Sequence, residues 1–515
     1  MSRRPCLFSG GLPALSGIVL LAACGGGGGE GGGTEQPSNL TAPQPSVSLG
    51  LKQFRFSWDA VQGADRYRLL EDVDGRSGLR PIWEGVQTAY SHVVPLYGRL
   101  EARYVVEACD SFACAQSEEW RVTGTLVDAV GYVKASNPAT WNRFGQTVVL
   151  SDDGKTMLVA AQGAGSIYVF SENGGTWSQA QLIDALTPAG SDAPSLNVTL
   201  SGNGQVIAAF ADGVIRMFER DIGGWQARET IVVDPAQPVP FRVPIFLSED
   251  GATLAAGVNG DAYIYERLGE GWELQTSLNG KGDNLALSAD GKLLAAAGHA
   301  ASAFEIFSYD SGVWSLQDSI PLEVGFAPVF SFADQGQTLA VGVSEESSAA
   351  QGIDGNEVDN SAYKAGAVFV YRRSGQIWAR DAYIKASNAQ AYDRFGYAID
   401  LSADGMVLVV GAYGEDGSAT GLNGVQDDAA GLTNSDGGSA GAAYVFTRGS
   451  AAWKELAYLK ATNTRSYAEY GRSVAVSGNG AVIAVGDDYE SSASAGVGAD
   501  DSDDSAYAAG AVFLY

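Results

Sequence analysis

Ser402-Ala403-Asp404-Gly405-Met406-Val407-Leu408-Val409-Val410-Gly411-Ala412 decides the fold of this chain. It opens with a polar turn and runs into an apolar strand, and its Asp-Gly pair has the residue chemistry of a tight hairpin. The turn recurs at Ser151-Asp152-Asp153-Gly154, Ser201-Gly202-Asn203-Gly204, Ser248-Glu249-Asp250-Gly251 and Ser288-Ala289-Asp290-Gly291. It returns at Ala333-Asp334-Gln335-Gly336 and Ser477-Gly478-Asn479-Gly480. An apolar strand precedes each turn, and a third strand then ends in aromatics, as in Ser166-Ile167-Tyr168-Val169-Phe170 or Gly366-Ala367-Val368-Phe369-Val370-Tyr371. A tryptophan marks the next turn in six units, at Trp177, Trp225, Trp272, Trp314, Trp378 and Trp453. Repetition at this period describes one four-stranded unit stacked on its neighbours.

The seventh unit reaches Tyr515 at the end of its third strand, without an outer strand of its own. A candidate for that strand lies far upstream. Asp128-Ala129-Val130-Gly131-Tyr132-Val133-Lys134 matches Asp381-Ala382-Tyr383-Ile384-Lys385 and Leu456-Ala457-Tyr458-Leu459-Lys460. Residues 126–515 are therefore expected to form a seven-bladed β-propeller, closed when this early strand completes the last blade and removes its free edge. The alternative is an open solenoid, against which the fragmentary last unit argues. The recurring Lys134, Lys385 and Lys460 are read as pairing one blade with the next.

Phe144-Gly145, Phe395-Gly396 and Tyr470-Gly471 follow the Lys-Ala-Ser/Thr-Asn segments at those lysines, and Gly411-Ala412-Tyr413 stands where a Gly-Ala-Pro would fall. In these features the chain resembles the FG-GAP repeat of integrin-α-like propellers, in a bacterial version. The resemblance is clear in the first and last two units and blurred in the middle four. It implies adhesion or ligand binding, often with calcium in the blade loops.

The loop between second and third strands shares a face with the connections between blades. It is tight in the second to fourth units, as at Val258-Asn259-Gly260-Asp261, and long and acidic in the last three. Glu346 to Asp359, Glu415 to Asp428 and Glu490 to Asp503 have one separation, and Gly352, Gly421 and Gly496 coincide between them. With Asp354 and Asp501, these carboxylates are the candidate ligands for a hard cation such as Ca²⁺, which takes six to eight oxygens. The denser Asp/Asn series of the integrin calcium loop is absent, so a charged, solvated loop stands as the other reading.

The amino terminus reads as an address. Arg3 and Arg4 precede an apolar stretch from Leu12 to Ala23, too short for a permanent span and flanked like an export signal. Leu21-Ala22-Ala23-Cys24 looks like a bacterial lipobox, so residues 1–23 are expected to be a lipoprotein signal peptide and Cys24 the lipidated residue, an ordinary signal with an incidental cysteine being the alternative. Gly25 after Cys24, by resemblance to Gram-negative lipoproteins, favours the outer membrane, on its periplasmic or its surface side. Residues 24–41, rich in Gly, Ser and Pro, read as a flexible tether.

Between 42 and 125 the pattern changes to short alternating strands. Phe54, Phe56 and Trp58 share one sheet face. Trp58-Asp59-Ala60-Val61-Gln62-Gly63-Ala64-Asp65-Arg66-Tyr67 and Tyr104-Val105-Val106-Glu107-Ala108-Cys109 resemble a fibronectin type III domain, which implies a spacer or binding module. Cys109 and Cys114 are expected to close a small disulfide in an oxidising compartment, with a free reactive pair as the alternative.

The net charge of −28 repels phosphate backbones, which argues against nucleic acid as a partner. Two histidines, His92 and His299, offer little for a Ser-His or Cys-His mechanism, and no catalytic residue is assigned. The favoured expectation is an all-β, monomeric, lipid-anchored recognition or adhesion protein that binds a protein or glycan through one propeller face. The rival is a calcium-dependent hydrolase or lyase on the same scaffold.

Overall fold

A computed structural model describes residues 40–515, apart from 185, 188–195, 234–242, 270, 300, 323–326, 427–438 and 450–451. The expected signal peptide, Cys24, most of the tether and Asp428 lie outside the described residues. Among those described, regular structure is β-strand with four single turns of 3₁₀ helix.

Seven four-stranded antiparallel sheets follow one another in a propeller-like succession. Six are built from consecutive strands, within 144–183, 197–232, 245–278, 284–321, 329–384 and 398–459. The seventh takes three strands from 473–514 and completes itself with Gly131–Val133, whose Val133, Tyr132 and Gly131 pair with Val512, Phe513 and Leu514. The upstream segment thus occupies the outer position that its match to 381–385 and 456–460 assigned to it. Each innermost strand contacts the next, and the seventh contacts the first.

The repeated turn explains its own residues. In the sixth unit the Ser402 hydroxyl donates to Asp404 (2.6 Å) while its oxygen accepts from the Val407 amide (2.9 Å). Ser151, Ser201, Ser248, Ser288 and Ser477 repeat both contacts. Neighbouring turns are then linked through their backbones. Asp152 N donates to Gly202 O, Asn203 N to Glu249 O, Ala403 N to Gly478 O and Asn479 N to Asp152 O, at 2.9–3.0 Å. The last bond joins the seventh unit to the first. Where serine is replaced by Ala333, the turn distorts, with Asp334 and Gln335 at φ 52° and 50°. The glycine of Phe395-Gly396 is fixed by a close approach: at φ +84°, a Cβ there would lie 2.5 Å from the Ala367 carbonyl oxygen.

Residues 46–121 form two facing sheets. One holds Ser46–Gly50, Gln53–Ser57 and Ala89–Val93; the other holds Arg80–Gly85, Arg66–Asp72, Arg103–Cys109 and Cys114–Gln116, with Trp120–Arg121 beside Arg103–Cys109. Phe54, Phe56, Trp58, Tyr67 and Tyr104 are buried between them, and Cys109 is disulfide-bonded to Cys114. This layer shares a hydrophobic core with the sixth and seventh repeat sheets through Leu459, Tyr470, Val474 and Tyr515. The buried Lys52 ammonium donates to the carbonyls of Tyr515 (2.6 Å) and Ala481 (2.7 Å), and the Tyr97 hydroxyl donates to Gly480 O. The two parts are seated on each other, with residues 40–515 forming one compact unit.

Candidate functional site

The matched residues of the last three units are one device built three times. In the sixth sheet, Lys460 ends the outer strand and its ammonium meets Glu415 of the same sheet's long loop at 2.8 Å, both side chains almost wholly buried. Lys385 meets Glu346 at 2.7 Å, and Lys134 meets Glu490. The backbone repeats the register. Lys385 N donates to Gly352 O (2.8 Å), Lys460 N to Gly421 O (2.9 Å) and Lys134 N to Gly496 O (2.9 Å). Each glycine sits at positive φ, and the next residue bridges back to the outer strand: Ile353 to Ile384, Leu422 to Leu459, Val497 to Val133. The constant spacing from glutamate to glycine therefore measures the distance from a lysine ammonium to the same lysine's amide. Each long loop is pinned over its own sheet.

One correction follows. The three lysines pair within a sheet, not between sheets. The residue that crosses between sheets is the asparagine three places on. Asn388 Nδ2 donates to Glu415 of the next sheet (3.2 Å), and Asn463 Nδ2 to Glu490 (3.1 Å). The opposite side of Asn388 accepts from the Tyr444 hydroxyl (2.6 Å), and Asn137 accepts likewise from Tyr168 (2.7 Å). Among the described residues Asn463 Oδ1 is buried without a partner, because Phe513 stands at the equivalent strand position and has no hydroxyl.

The calcium expectation rests on the same loops. Glu346, Glu415 and Glu490 are each neutralised by a buried ammonium, and a dication placed there would face that charge at close range. The remaining candidates hold their own loops. Asp354 accepts from Tyr383 N (3.0 Å), Asp359 from Ser361 N (3.0 Å), Asp501 from the Thr462 hydroxyl (2.6 Å) and Asp503 from Ala493 N (2.7 Å). Among the described residues these carboxylates do not converge on one point; the group that does converge is Glu107 with the disulfide-bonded Cys109 and Cys114. Asp428, which matches Asp359 and Asp503 in spacing, lies outside the described residues.

Burial sets the electrostatics of this face. Burial pushes the Lys134 and Lys385 ammoniums below their usual range, against the upward pull of Glu490 and Glu346. The seventh sheet adds two acids, Asp487 and Asp488, that the fifth and sixth lack at these positions. Asp487, packed near Glu490, is pushed well above the usual carboxylate range by burial and then by Glu490 and Asp488. Asp488 is raised to about 6 by burial, with Arg472 opposing. On the rim, the connections entering the first, sixth and seventh sheets carry an aromatic at positive φ: Trp141, Tyr392 and Tyr467, at 66°, 76° and 66°. Sequence reading passed over these rings, although their register two residues before an equally strained Arg143, Arg394 or Glu469 repeats with the repeat. The two histidines stay apart from the loops. His92 Nε2 lies 3.2 Å from Glu71 inside the sandwich, and His299 lies beyond the fourth sheet's second strand.

The FG-GAP repeat model matches residues 378–446. That interval runs from the outer strand of the fifth sheet, through Lys385, Phe395-Gly396 and Glu415, to the third strand of the sixth. No curated protein matches the chain. Solved structures similar to it include the β-propeller domain of Cps50 (Swd1) from Myceliophteria thermophila, 9% identical, covering 75% of this chain and 98% of that one at a TM-score of 0.47. A protein from Lactobacillus plantarum is 12% identical over 78% and 98% at a TM-score of 0.42. Kuenenia stuttgartiensis hydrazine synthase is 13% identical over 68% and 94% at 0.43.

Proposed function

We propose that the chain is a lipid-anchored envelope protein that recognises a protein or glycan ligand on the long-loop face of a seven-bladed propeller. A fibronectin type III-like layer would seat the propeller near its anchor at Cys24. The observation that carries this reading is the triple Lys-Glu-Gly clamp. Ordering long loops costs conformational entropy, and a surface held in one shape before contact loses less on binding. Three consecutive sheets hold such loops on the face where the aromatic rims stand, while the opposite face has short turns. An FG-GAP repeat in this region is consistent with a ligand-binding scaffold.

The test is an array of glycans and cell-surface proteins probed with the purified chain. Binding that is lost when the 344–366 and 488–510 loops are shortened supports the reading; binding that survives both deletions removes it. The hydrolase alternative is checked by incubating the chain with phosphoesters and polysaccharides, where turnover would displace the recognition reading. Melting curves with calcium and with chelator are expected to coincide.

A further inference from the structure

The seventh sheet carries a cleft of about 300 Å³ between its own long loop and the connection that enters it. One wall is Tyr467, 62% exposed and, among the described residues, without a ring partner. The other is Tyr489 and Tyr507, their centroids 6.3 Å apart at 74°. Trp141, arriving from the connection into the first sheet, meets Tyr507 edge-on at 4.8 Å, and the Arg143 guanidinium lies 4.7 Å from the Tyr489 ring while donating to its hydroxyl. These contacts brace the wall. Arg465 and Asp504, also lining it, form an ion pair, with Arg465 a further 3.6 Å from the buried Glu490.

Three features narrow what fits. Exposed tyrosine rings bury apolar surface while offering hydroxyls at their tips. The charge of Arg465 is already answered by Asp504, and that of Lys134 by Glu490, so no net positive charge awaits an anion, and the chain's −28 repels one. The ion pair nevertheless presents donors and acceptors side by side, which suits neighbouring hydroxyl groups that both donate and accept. A cleft of this volume stands at the small end of ligand pockets, the size of a compact group. The presenting turn is also strained: Tyr467 and Glu469 hold φ of 66° and 58°, in the left-handed region that side chains rarely adopt.

We propose that this cleft binds a neutral pyranose unit of a glycan, its C–H face against Tyr467 and the Tyr489–Tyr507 wall and its hydroxyls on the Arg465–Asp504 pair. The site rests on the recognition reading above and names its ligand class. A proline-rich peptide would use the rings but leave the ion pair unanswered.

The experiment titrates the purified chain calorimetrically with maltotriose, cellotriose, chitotriose, mannotriose and lactose, and with a proline-rich peptide. At least one sugar is expected to bind, with Tyr467→Ala and Tyr507→Ala each weakening it about tenfold, the loss of one stacked ring. Tyr363→Ala, in the corresponding loop of the fifth sheet, is expected to leave binding unchanged. Should either variant melt early, Asp504→Asn at an exposed carboxylate takes its place, with weaker sugar binding again expected. No binding by any sugar, sugar binding that the variants retain, or peptide binding that the variants lose would each overturn the proposal. A ligand from the broader array that binds the variants normally would remove this cleft while leaving the recognition reading in place.

Discussion

Glu415→Gln should loosen the sixth sheet's long loop far more than the loss of one exposed carboxylate would. The substitution leaves the Lys460 ammonium, whose side chain is fully buried, facing a neutral amide at the position of a carboxylate 2.8 Å away. At that separation the pair interacts by about 6 kcal/mol for an effective dielectric near 20, and removing one member of a buried pair costs about 3–5 kcal/mol. Gln Oε1 can still accept from the Tyr458 hydroxyl, now 2.7 Å from Glu415, so the lower end, about 3 kcal/mol, is expected. Lys460→Met should cost a similar amount by stranding Glu415. The double variant Glu415→Gln with Lys460→Met restores neutrality, and should recover about 2 kcal/mol or more of the summed losses. Urea midpoints supply the energies. Hydrogen exchange at the Lys460 amide, which donates to Gly421 O, and at Asn423, which donates to Tyr458 O, reports the loop itself. Purely additive single and double variants, or unchanged protection at both amides, would refute the clamp.

Asp400, whose carboxyl accepts from Val476 N of the seventh sheet (2.9 Å) and lies 3.3 Å from the Ser331 hydroxyl of the fifth, is raised by burial from 3.8 to about 7. Between those values the folded chain holds a proton that the unfolded chain has released, so this group's contribution to stability is present below pH 3.8 and lost as pH rises through 7. Asp400→Asn should flatten that decline and stabilise the chain at pH 8 by up to about 3–4 kcal/mol, read from denaturation midpoints across pH. Phe513→Tyr should supply the hydroxyl that Asn463 Oδ1 lacks and raise stability by about 1 kcal/mol; a destabilised variant would mean that the equivalence with Tyr444 and Tyr168 does not extend to the space around the ring. Deleting 128–134 removes both the outer strand of the seventh sheet and the partner of Glu490, so the melting temperature should fall sharply, and an unchanged value would count against closure through this strand.

Much of the fold was legible because its signals are local. A Ser-x-Asp/Asn-Gly turn closes on itself through one hydroxyl and one carboxylate, so each copy can be read in isolation, and the copy lacking serine is the one whose turn is distorted. Pairing of 131–133 with 512–514 was also within reach, since the match of 128–134 to two other outer strands identifies its place without any contact being known. The seating of the sandwich was not. Lys52 reads as a surface lysine in sequence, and only the approach of the Tyr515 and Ala481 carbonyls makes it a buried link between the two parts.

The candidate site shows how one repeated pattern can be read as two separate ones. Equal spacing of Glu346, Glu415 and Glu490 from their glycines did mark a shared structure, and equal placement of Lys134, Lys385 and Lys460 marked the same structure from its other side. Read separately, the acids suggested a cation and the lysines suggested contacts between sheets. Their numbers differ by 39 in the fifth sheet, 45 in the sixth and 356 in the seventh, so no single offset links them along the chain. The long loop varies in length, and in the seventh sheet the lysine arrives from the far end of the repeat array. What joins each pair is the sheet: the lysine always ends the outer strand, and the glutamate always opens the loop after the second. A carboxylate that recurs with the repeat therefore calls first for a search among basic residues that recur with it on the adjoining strand. Carboxylates that the fifth and sixth units lack, Asp487 and Asp488, have no such partner to inherit, and it is beside them that the aromatic cleft lies.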